Sequence, residues 1–485
     1  MEPLLDDLPR ERTELLANLG RIRREAGPVT PERADALADH MGLRRGEVAE
    51  VSAAYAYLGL APETPRVCTG PVCECMGARE LLERTPGAVE TPCLGHCDLA
   101  PVALEGERLA GELRHQTNDG PSLHLSAPDE VRRPPELTAE RVLAQLEAAG
   151  LVGYGGAGFP VWRKWQAVRE HPGPRVVIVN ADEGEPGTVK DRYVLELRPQ
   201  LLLEGLELAL RFCEASEAYV YLREEYTTAR ERLEAAIDER GLPVRIVLGA
   251  GSYVCGEETA LLESMEGRRG MPRLRPPFPA ESGHLGRPTL INNVETLAHV
   301  PAAARDGADW ARTRLWSVSG AVSRPGCYEA PLDVTLRELI DEHAGGASEE
   351  VGAIVPGGAA SGILPPSALD TPLTREALAE WGAGPGSGGV QVFPRRYPVQ
   401  RLLAATMRFF AEESCQKCTP CRIGTRALRQ VLAEAEEGRA AMPPARLEAW
   451  LRTMERGSIC GLGQSAPLPL RTALRHFPDE LEALR

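Results

Sequence analysis

Val176-Val177-Ile178-Val179-Asn180-Ala181-Asp182-Glu183-Gly184-Glu185-Pro186-Gly187-Thr188 is the stretch on which the fold turns. Its opening run is β-branched and apolar, so it reads as a buried strand. Carboxylates and glycines then gather just past the strand's carboxyl end, where α/β folds place ligands. Carboxylates there accept hydrogen bonds from ribose hydroxyls or a carboxamide. A solvated acidic turn is the plainer reading of the segment alone. The flanking sequence alternates in the same sense. Leu137 to Ala149 is an amphipathic helix closed by Gly150, and Leu201 to Phe212 is another helix. Tyr219 to Leu222 reads as strand, Glu225 to Arg240 as a helix stopped by Gly241, and Val244 to Leu248 as strand. That order predicts an α/β layer architecture.

Two glycine-rich loops border this layer. Gly153-Tyr154-Gly155-Gly156-Ala157-Gly158-Phe159-Pro160 contains GxGxxG. A helix rather than a strand precedes it and Pro160 follows at once, so it is not a true Rossmann site. The glycines still let backbone N–H groups approach a phosphate, and Lys164 adds positive charge nearby. A tight structural turn is the alternative. The second loop, Gly249 to Thr259, enters a helix over Ala260 to Met265, and such a helix start suits an anion. Gly267 to Pro279 is basic and Pro-rich. Phe278 within it reads either as an aromatic for ring stacking or as core. Cys255 reads as a packed thiol with no assigned role.

Twelve cysteines fall mostly into two groups. Cys415-Gln416-Lys417-Cys418-Thr419-Pro420-Cys421 is C-x2-C-x2-C, the opening spacing of a ferredoxin cubane, and Cys460 is the candidate fourth ligand. Zinc usually takes separated pairs, which makes a 4Fe–4S cluster the better reading. Cys68 and Cys73 form C-x4-C, and Cys93 and Cys97 form C-x3-C. Two pairs on two loops suit a 2Fe–2S cluster, with zinc, a redox disulfide or a degenerate site as alternatives. Cys75 has no partner spacing, and His96 reads as a loop residue.

The chain's 485 residues suggest roughly three or four domains. A net charge of −15 disfavours nucleic acid as a partner. The start lacks a basic, apolar leader, and no run of about 18 apolar residues occurs, so neither signal peptide nor membrane insertion is expected. The expected compartment is the cytoplasm. Leu15, Leu16, Leu19 and Ile22 make one helical stripe, and Val48, Val51, Ala54, Tyr55 and Leu58 another. Gly77 to Arg84 also reads as helix, and Ala127 to Pro135 as a linker. After Pro301, Leu315 to Gly320, Gly326 to Tyr328 and Val351 to Val355 read as short strands of a small domain. Gly-rich Gly382 to Gly389 closes it, and Val399 to Arg485 is mostly helical.

Together these motifs resemble the NADH-binding FMN and iron–sulfur flavoprotein of respiratory complex I and its soluble relatives, NAD-linked formate dehydrogenases and hydrogenases. The phrases NADEGEPGT, CGEETALLESMEG, RPPFPA, INNVETL and SCQKCTPCRIG carry the resemblance from about Gly150 to the end. Residues before about Ala127 are similar to the separate thioredoxin-like 2Fe–2S subunit of those complexes, fused in front. The resemblance implies a multidomain α/β chain. A helical plus thioredoxin-like 2Fe–2S domain would span 1–130 and an FMN/NADH-binding domain 135–305. A ubiquitin-like β-grasp domain would span 310–392 and a helical 4Fe–4S bundle 395–485.

The resemblance also implies residue roles. FMN would lie on Gly153, Gly155, Gly156, Ala157 and Lys164. Asn180, Asp182 and Glu183 would face its ring or ribityl chain, with Gly256, Glu257, Asn292 and Asn293 closing the site. NADH would stack against Phe159 and Phe278, with Glu185 and Glu258 holding nicotinamide and ribose groups. Cys415, Cys418, Cys421 and Cys460 would hold the 4Fe–4S cluster. Electrons would run between NADH, FMN, the 4Fe–4S cluster and an iron–sulfur partner subunit, with the 2Fe–2S cluster as a side or parallel station. A molybdenum formate dehydrogenase is the preferred partner, an NAD-coupled hydrogenase the second, and a bifurcating complex the third. A non-catalytic iron–sulfur protein with a decayed nucleotide site is the reading from another class. Tyr154 stands where the family usually has Arg, at a position contributing mainly backbone. Ala167 stands where an adenine-stacking aromatic is expected, Arg275 where Lys is common, and Gln416 where Gly is common.

Overall fold

The computed structural model of the chain describes residues 2–436, 439 and 442–484. Its described strands form three four-stranded sheets. β1 (Arg66–Cys68), β2 (Val89–Thr91), β3 (Ala103–Glu105) and β4 (Arg108–Leu109) make a small mixed sheet in the order β2-β1-β3-β4. β5 (Val176–Ala181), β6 (Ala218–Leu222), β7 (Val244–Leu248) and β8 (Thr289–Asn293) make the parallel sheet in the order β7-β6-β5-β8. β9 (Thr313–Gly320), β10 (Gly326–Pro331), β11 (Val351–Val355) and β12 (Gly389–Pro394) make a mixed sheet whose central pair, β9 and β12, is parallel.

The parallel sheet positions the site. From β5 the chain winds outward through β6 and β7, then returns to place β8 on the other side of β5. The order therefore reverses between β5 and β8, which opens a crevice at their carboxyl ends. Val179 there lies opposite Asn292, and Asn180 opposite Asn293. The alternation of β5 is visible in its packing, because successive side chains point to opposite faces. Val177 and Val179 join a core with Leu146, Leu206, Leu210 and Leu297, from helices Ala139–Ala149, Pro199–Cys213 and Val294–Asp306. Val176 and Ile178 instead join Leu15, Leu19, Ile22, Val48 and Val51. The N-terminal helices Leu15–Ala26, Pro31–Met41 and Arg45–Ala54 thus cover the second face. Both apolar stripes expected from the sequence lie there. The cysteine-bearing small sheet has a separate core around Val67, Cys68, Cys73, Leu94 and Leu104.

The expected linker carries no helix or strand, but it is anchored. The Asp129 carboxylate accepts the Gln200 N–H at 3.2 Å. Just upstream, the buried Glu329 carboxylate accepts the N–H groups of Ser122 and Leu123, each at 2.9 Å. The C-terminal helices Val399–Glu413, Thr419–Glu436, Pro444–Gly457 and Pro467–His476 pack around Met407, Phe410, Leu428, Leu451 and Leu470. No described helix is long and apolar enough to cross a membrane.

Candidate functional site

The crevice at the ends of β5 and β8 widens into a cleft of about 1000 Å3. Its wall is built from the glycine loop, the acidic loop, the loop before helix Glu258–Met265, and the edge of the β9–β12 domain. Gly153, Gly155, Gly156, Ala157, Lys164, Asn180, Asp182, Glu183, Gly256, Glu257, Asn292 and Asn293 all line it. So do Phe159, Glu185, Glu258 and Phe278. Phe159 and Phe278 are half exposed, unusual for large aromatics.

The glycine loop is pinched at its base by the Gly153 N–H donating to Phe159 O at 2.9 Å and the Val161 N–H to Leu151 O at 3.0 Å. Gly156 sits at φ +114 with open space where a Cβ would stand, a conformation that favours glycine. Tyr154 does not face the cleft. Its N–H donates to Thr296 Oγ1 at 2.9 Å and its hydroxyl to Thr313 O at 3.1 Å. The backbone role expected for that position is thus spent inside the core, while the neighbouring glycines stay on the wall. Ala167 lines the cleft with a small surface, flanked on the wall by Arg163 of the same helix and by His171 just past its end.

Several expected ligand side chains are engaged in capping. Glu183 accepts the first-turn N–H groups of Asp191 and Arg192 at 2.9 and 3.1 Å. Glu257 accepts Thr259 N–H at 3.0 Å and Ala260 N–H at 2.9 Å. Asn293 Oδ1 accepts Thr296 N–H at 3.3 Å. These residues cap the amino ends of helices Lys190–Leu197, Glu258–Met265 and Val294–Asp306 at the cleft wall, where the Glu183 and Glu257 carboxylates offset the positive ends of the first two. Lys164 Nζ donates to Glu258 Oε2 at 2.9 Å and Ile291 O at 3.1 Å. Glu185 accepts the Tyr253 hydroxyl at 2.5 Å and the Ala360 N–H at 2.7 Å, which ties the acidic loop to the β9–β12 domain.

Two groups on the floor are left with hydrogen-bonding capacity. Asn292 Oδ1 accepts Trp165 Nε1–H at 3.0 Å, which leaves its NH2 toward the cleft. Asp182 Oδ2 is buried without a protein partner, and burial pushes this carboxyl up to about 8. An orphaned carboxyl oxygen, a free amide and a glycine cradle together fit a polar, phosphorylated ring ligand such as FMN. Lys190 also faces the cleft, and sequence reasoning missed it. Its Nζ is buried between Asp191 Oδ1 at 2.7 Å and Glu295 Oε2 at 3.2 Å. The signal was a lysine two residues past the acidic phrase, at a helix start.

The thiols gather as their spacing suggested. Cys415, Cys418, Cys421 and Cys460 line one small cavity. Val254, Cys460 and Leu462 line both that cavity and the large cleft, so single side chains divide the two. Gln416 takes φ +63, a left-handed conformation that glycine adopts more readily than glutamine. Cys68, Cys73, Cys93 and Cys97 form the second nest, with the Cys68 thiol touching Cys73 and Cys93, and Cys93 touching Cys97. Among the described residues no His, Cys, Asp or Glu group is arranged to hold a single metal ion. Four thiolates around an enclosed space suit an iron–sulfur cluster. Cys75 is buried in the apolar cluster that also takes in Cys93 and Cys97. His96, expected as a plain loop residue, is buried, with Nδ1 2.8 Å from Leu94 O and its ring edge-on to Tyr226.

A switch-point cleft fitted to a flavin and walled against a cysteine nest defines an iron–sulfur flavoprotein of the NADH-oxidising class. The chain matches the Nuo51 FMN-binding domain over residues 146–302 and the NADH-ubiquinone oxidoreductase-F iron–sulfur binding region over 401–484. It matches the SLBB domain over 316–360 and the thioredoxin-like [2Fe-2S] ferredoxin over 1–90. It is 41% identical over 376 residues to the second F-type subunit of NADH-quinone oxidoreductase from Rhizobium meliloti (strain 1021), covering 72% of this chain and 89% of that protein. It is 39% identical to the F-type subunit of the Streptomyces coelicolor enzyme, covering 73% of this chain and 84% of that one. A chain of an NAD+-reducing [NiFe]-hydrogenase in its H2-reduced state superimposes with a TM-score of 0.89 at 34% identity, covering 98% of this chain and 93% of that chain. The protein belongs to the family of F-type subunits of NADH-quinone oxidoreductase. It is an NADH-oxidising oxidoreductase that uses FMN, a 4Fe–4S cluster and a 2Fe–2S cluster.

Proposed function

We propose that the chain is the electron-input subunit of an NAD-linked complex in the cytoplasm, feeding an iron–sulfur partner subunit through its C-terminal nest. The observation that carries this reading is the shared wall of Val254, Cys460 and Leu462 between cleft and nest. FMN, when bound, supplies the exchange between two-electron and one-electron chemistry. Gly153, Gly155, Gly156 and Ala157 present backbone to it, Asn180, Asp182, Glu183 and Asn292 form its polar floor, and Lys164, Gly256, Glu257 and Asn293 close the site. Phe159 and Phe278 hold NADH by stacking, with Glu185 and Glu258 accepting from its hydroxyls or carboxamide. No side-chain acid or base is required. The residues orient the two rings and exclude water.

An anaerobic NADH titration of the purified protein, followed by visible absorbance and low-temperature EPR, tests the reading. Flavin bleaching with reduced signals from two distinct clusters is expected. Intact clusters with no flavin and no response to NADH would leave only a structural iron–sulfur subunit. For the partner, the near-full-length likeness to the hydrogenase chain favours a hydrogenase-type complex. The formate dehydrogenase expected from the sequence is the other reading. Formate-driven against H2-driven NAD+ reduction by the native complex decides between them.

A further inference from the structure

The residues that follow β6 join the two halves of the fused chain. Arg223, Glu224, Glu225 and Tyr226 are all buried, although three of them carry charge and the sequence gave none of them a site role. Glu224 pairs with Arg66 of β1 at 2.6 Å. Arg223 reaches both sides of the seam. Its Nη1 donates to the carbonyl of Glu183 in the acidic loop, and its Nη2 to the carbonyl of Cys93 at 2.9 Å. Its charge is held by Glu225 at 3.0 Å. Tyr226 does the same with one proton for two acceptors, Glu183 Oε2 at 3.0 Å and Gly95 O at 3.3 Å. Gly95 sits so close that a Cβ there would lie 2.7 Å from the Tyr226 hydroxyl. The acidic loop also touches the thiol set directly, with the Gly187 N–H donating to Cys97 Sγ at 3.2 Å. The loop that lines the cleft and the loop that carries Cys93 and Cys97 are therefore bonded at several points, all in a buried setting where unmade bonds are costly.

We propose that Arg223 and Tyr226 are positioning residues that couple the cleft to the N-terminal thiol set, so that dinucleotide in the cleft is felt at the 2Fe–2S centre. This rests on the functional reading above. A dinucleotide that engages Glu185, two residues on in the same loop, shifts the backbone whose Glu183 oxygens Arg223 and Tyr226 hold. Displacement of the acidic loop then alters the Gly187 hydrogen bond to Cys97. Hydrogen bonds to ligand sulfur are among the features that set the properties of such clusters.

The test is EPR of dithionite-reduced holoprotein with and without excess NADH, which keeps both clusters reduced in either sample. The parent protein is expected to show an NADH-induced shift in the 2Fe–2S g values. Tyr226→Phe keeps the ring and Arg223→Lys keeps the charge. In each the shift is expected to fall by at least about half, one bridging partner of two having been lost, while the 4Fe–4S signal matches the parent. A parent-sized shift in both variants overturns the proposal and leaves these residues as interdomain glue. So does a parent that binds NADH with no shift. A parent with no flavin or no 2Fe–2S signal overturns the functional reading itself, and the coupling with it.

Discussion

The two cysteine nests carry equal numbers of thiols and sit in opposite circumstances. Cys68, Cys73, Cys93 and Cys97 are all buried, sealed by the acidic loop and by Arg223 and Tyr226. In the C-terminal nest Cys421 and Cys460 are buried, but Cys415 and Cys418 are partly exposed. That nest also shares a wall with the cleft. One set therefore touches both cleft and surface, as a through route must. The other touches the cleft's lining loop and has no open face of its own. Burial, more than ligand spacing, distinguishes the two sets.

Substituting one cysteine in each nest breaks the comparison most sharply. Cys421→Ser is expected to abolish the 4Fe–4S signal and cut NADH-dependent reduction of the partner subunit by at least roughly 100-fold, while direct NADH–ferricyanide activity persists. Cys97→Ser should remove only the 2Fe–2S signal and leave partner reduction within about twofold. Equal losses from both, with each remaining cluster intact, would make the N-terminal nest part of the main route.

Cluster removal probes the same asymmetry through solvent access. Under ferricyanide with EDTA, the 4Fe–4S centre should be lost at least about tenfold faster than the 2Fe–2S centre, because exposed thiolates are the ones reagents reach. Simultaneous bleaching of the two signals would mean that the interdomain seam opens on the timescale of the reaction.

The strand-to-acidic-loop phrase and the cysteine spacings made the cleft and both nests legible in the sequence. A buried strand and a turn of fixed ligands leave local patterns. The seam at Arg223 to Tyr226 left no such pattern, since charged residues after a strand read as the solvated start of a helix. Only the docked N-terminal half buries them. Capping by Glu183, Glu257 and Asn293 was equally hidden, because a carboxylate's partner depends on where the next helix begins. Tyr154 shows the same limit: the sequence marked it as a mainly backbone position in the glycine phrase but gave no sign that Thr296 and Thr313 hold it in the core.

Asp182, on the cleft lining, ties the stability of the chain to pH. Arg223 on the N-terminal side holds its carboxyl down, while Glu225 and Glu413 add to the upward push of burial. Its folded value of about 8 lies above the ordinary range. The folded chain therefore keeps a proton that the unfolded chain releases above about pH 4. The stabilisation is complete below that pH and is lost as pH rises through 8. Flavin-free Asp182→Asn should melt with a flatter pH profile than the parent between pH 5 and 8.5, the largest gain lying at the alkaline end, of roughly 1–3 kcal/mol. A parallel profile would place this carboxyl's proton elsewhere.

The smallest effect expected compares the hydrogen bonds each nest gives to its sulfurs. In the C-terminal nest the Ser414 hydroxyl lies 3.3 Å from Cys421 Sγ, a side-chain contact. In the N-terminal nest the donor to Cys97 is the backbone of Gly187. A hydroxyl can be deleted cleanly and a backbone N–H cannot, so only the first contact is open to simple substitution. Ser414→Ala removes one donor near a thiolate and stabilises the reduced cluster less. The 4Fe–4S midpoint potential should fall by a few tens of millivolts while the 2Fe–2S potential holds. The Ser414 hydroxyl also accepts the Gln416 N–H at 3.2 Å, so the variant loosens the turn in which Gln416 adopts its left-handed conformation. Ser414→Thr restores a hydroxyl at the same carbon. Recovery of the potential in that variant assigns the shift to the donor, and a potential that stays low assigns it to the turn.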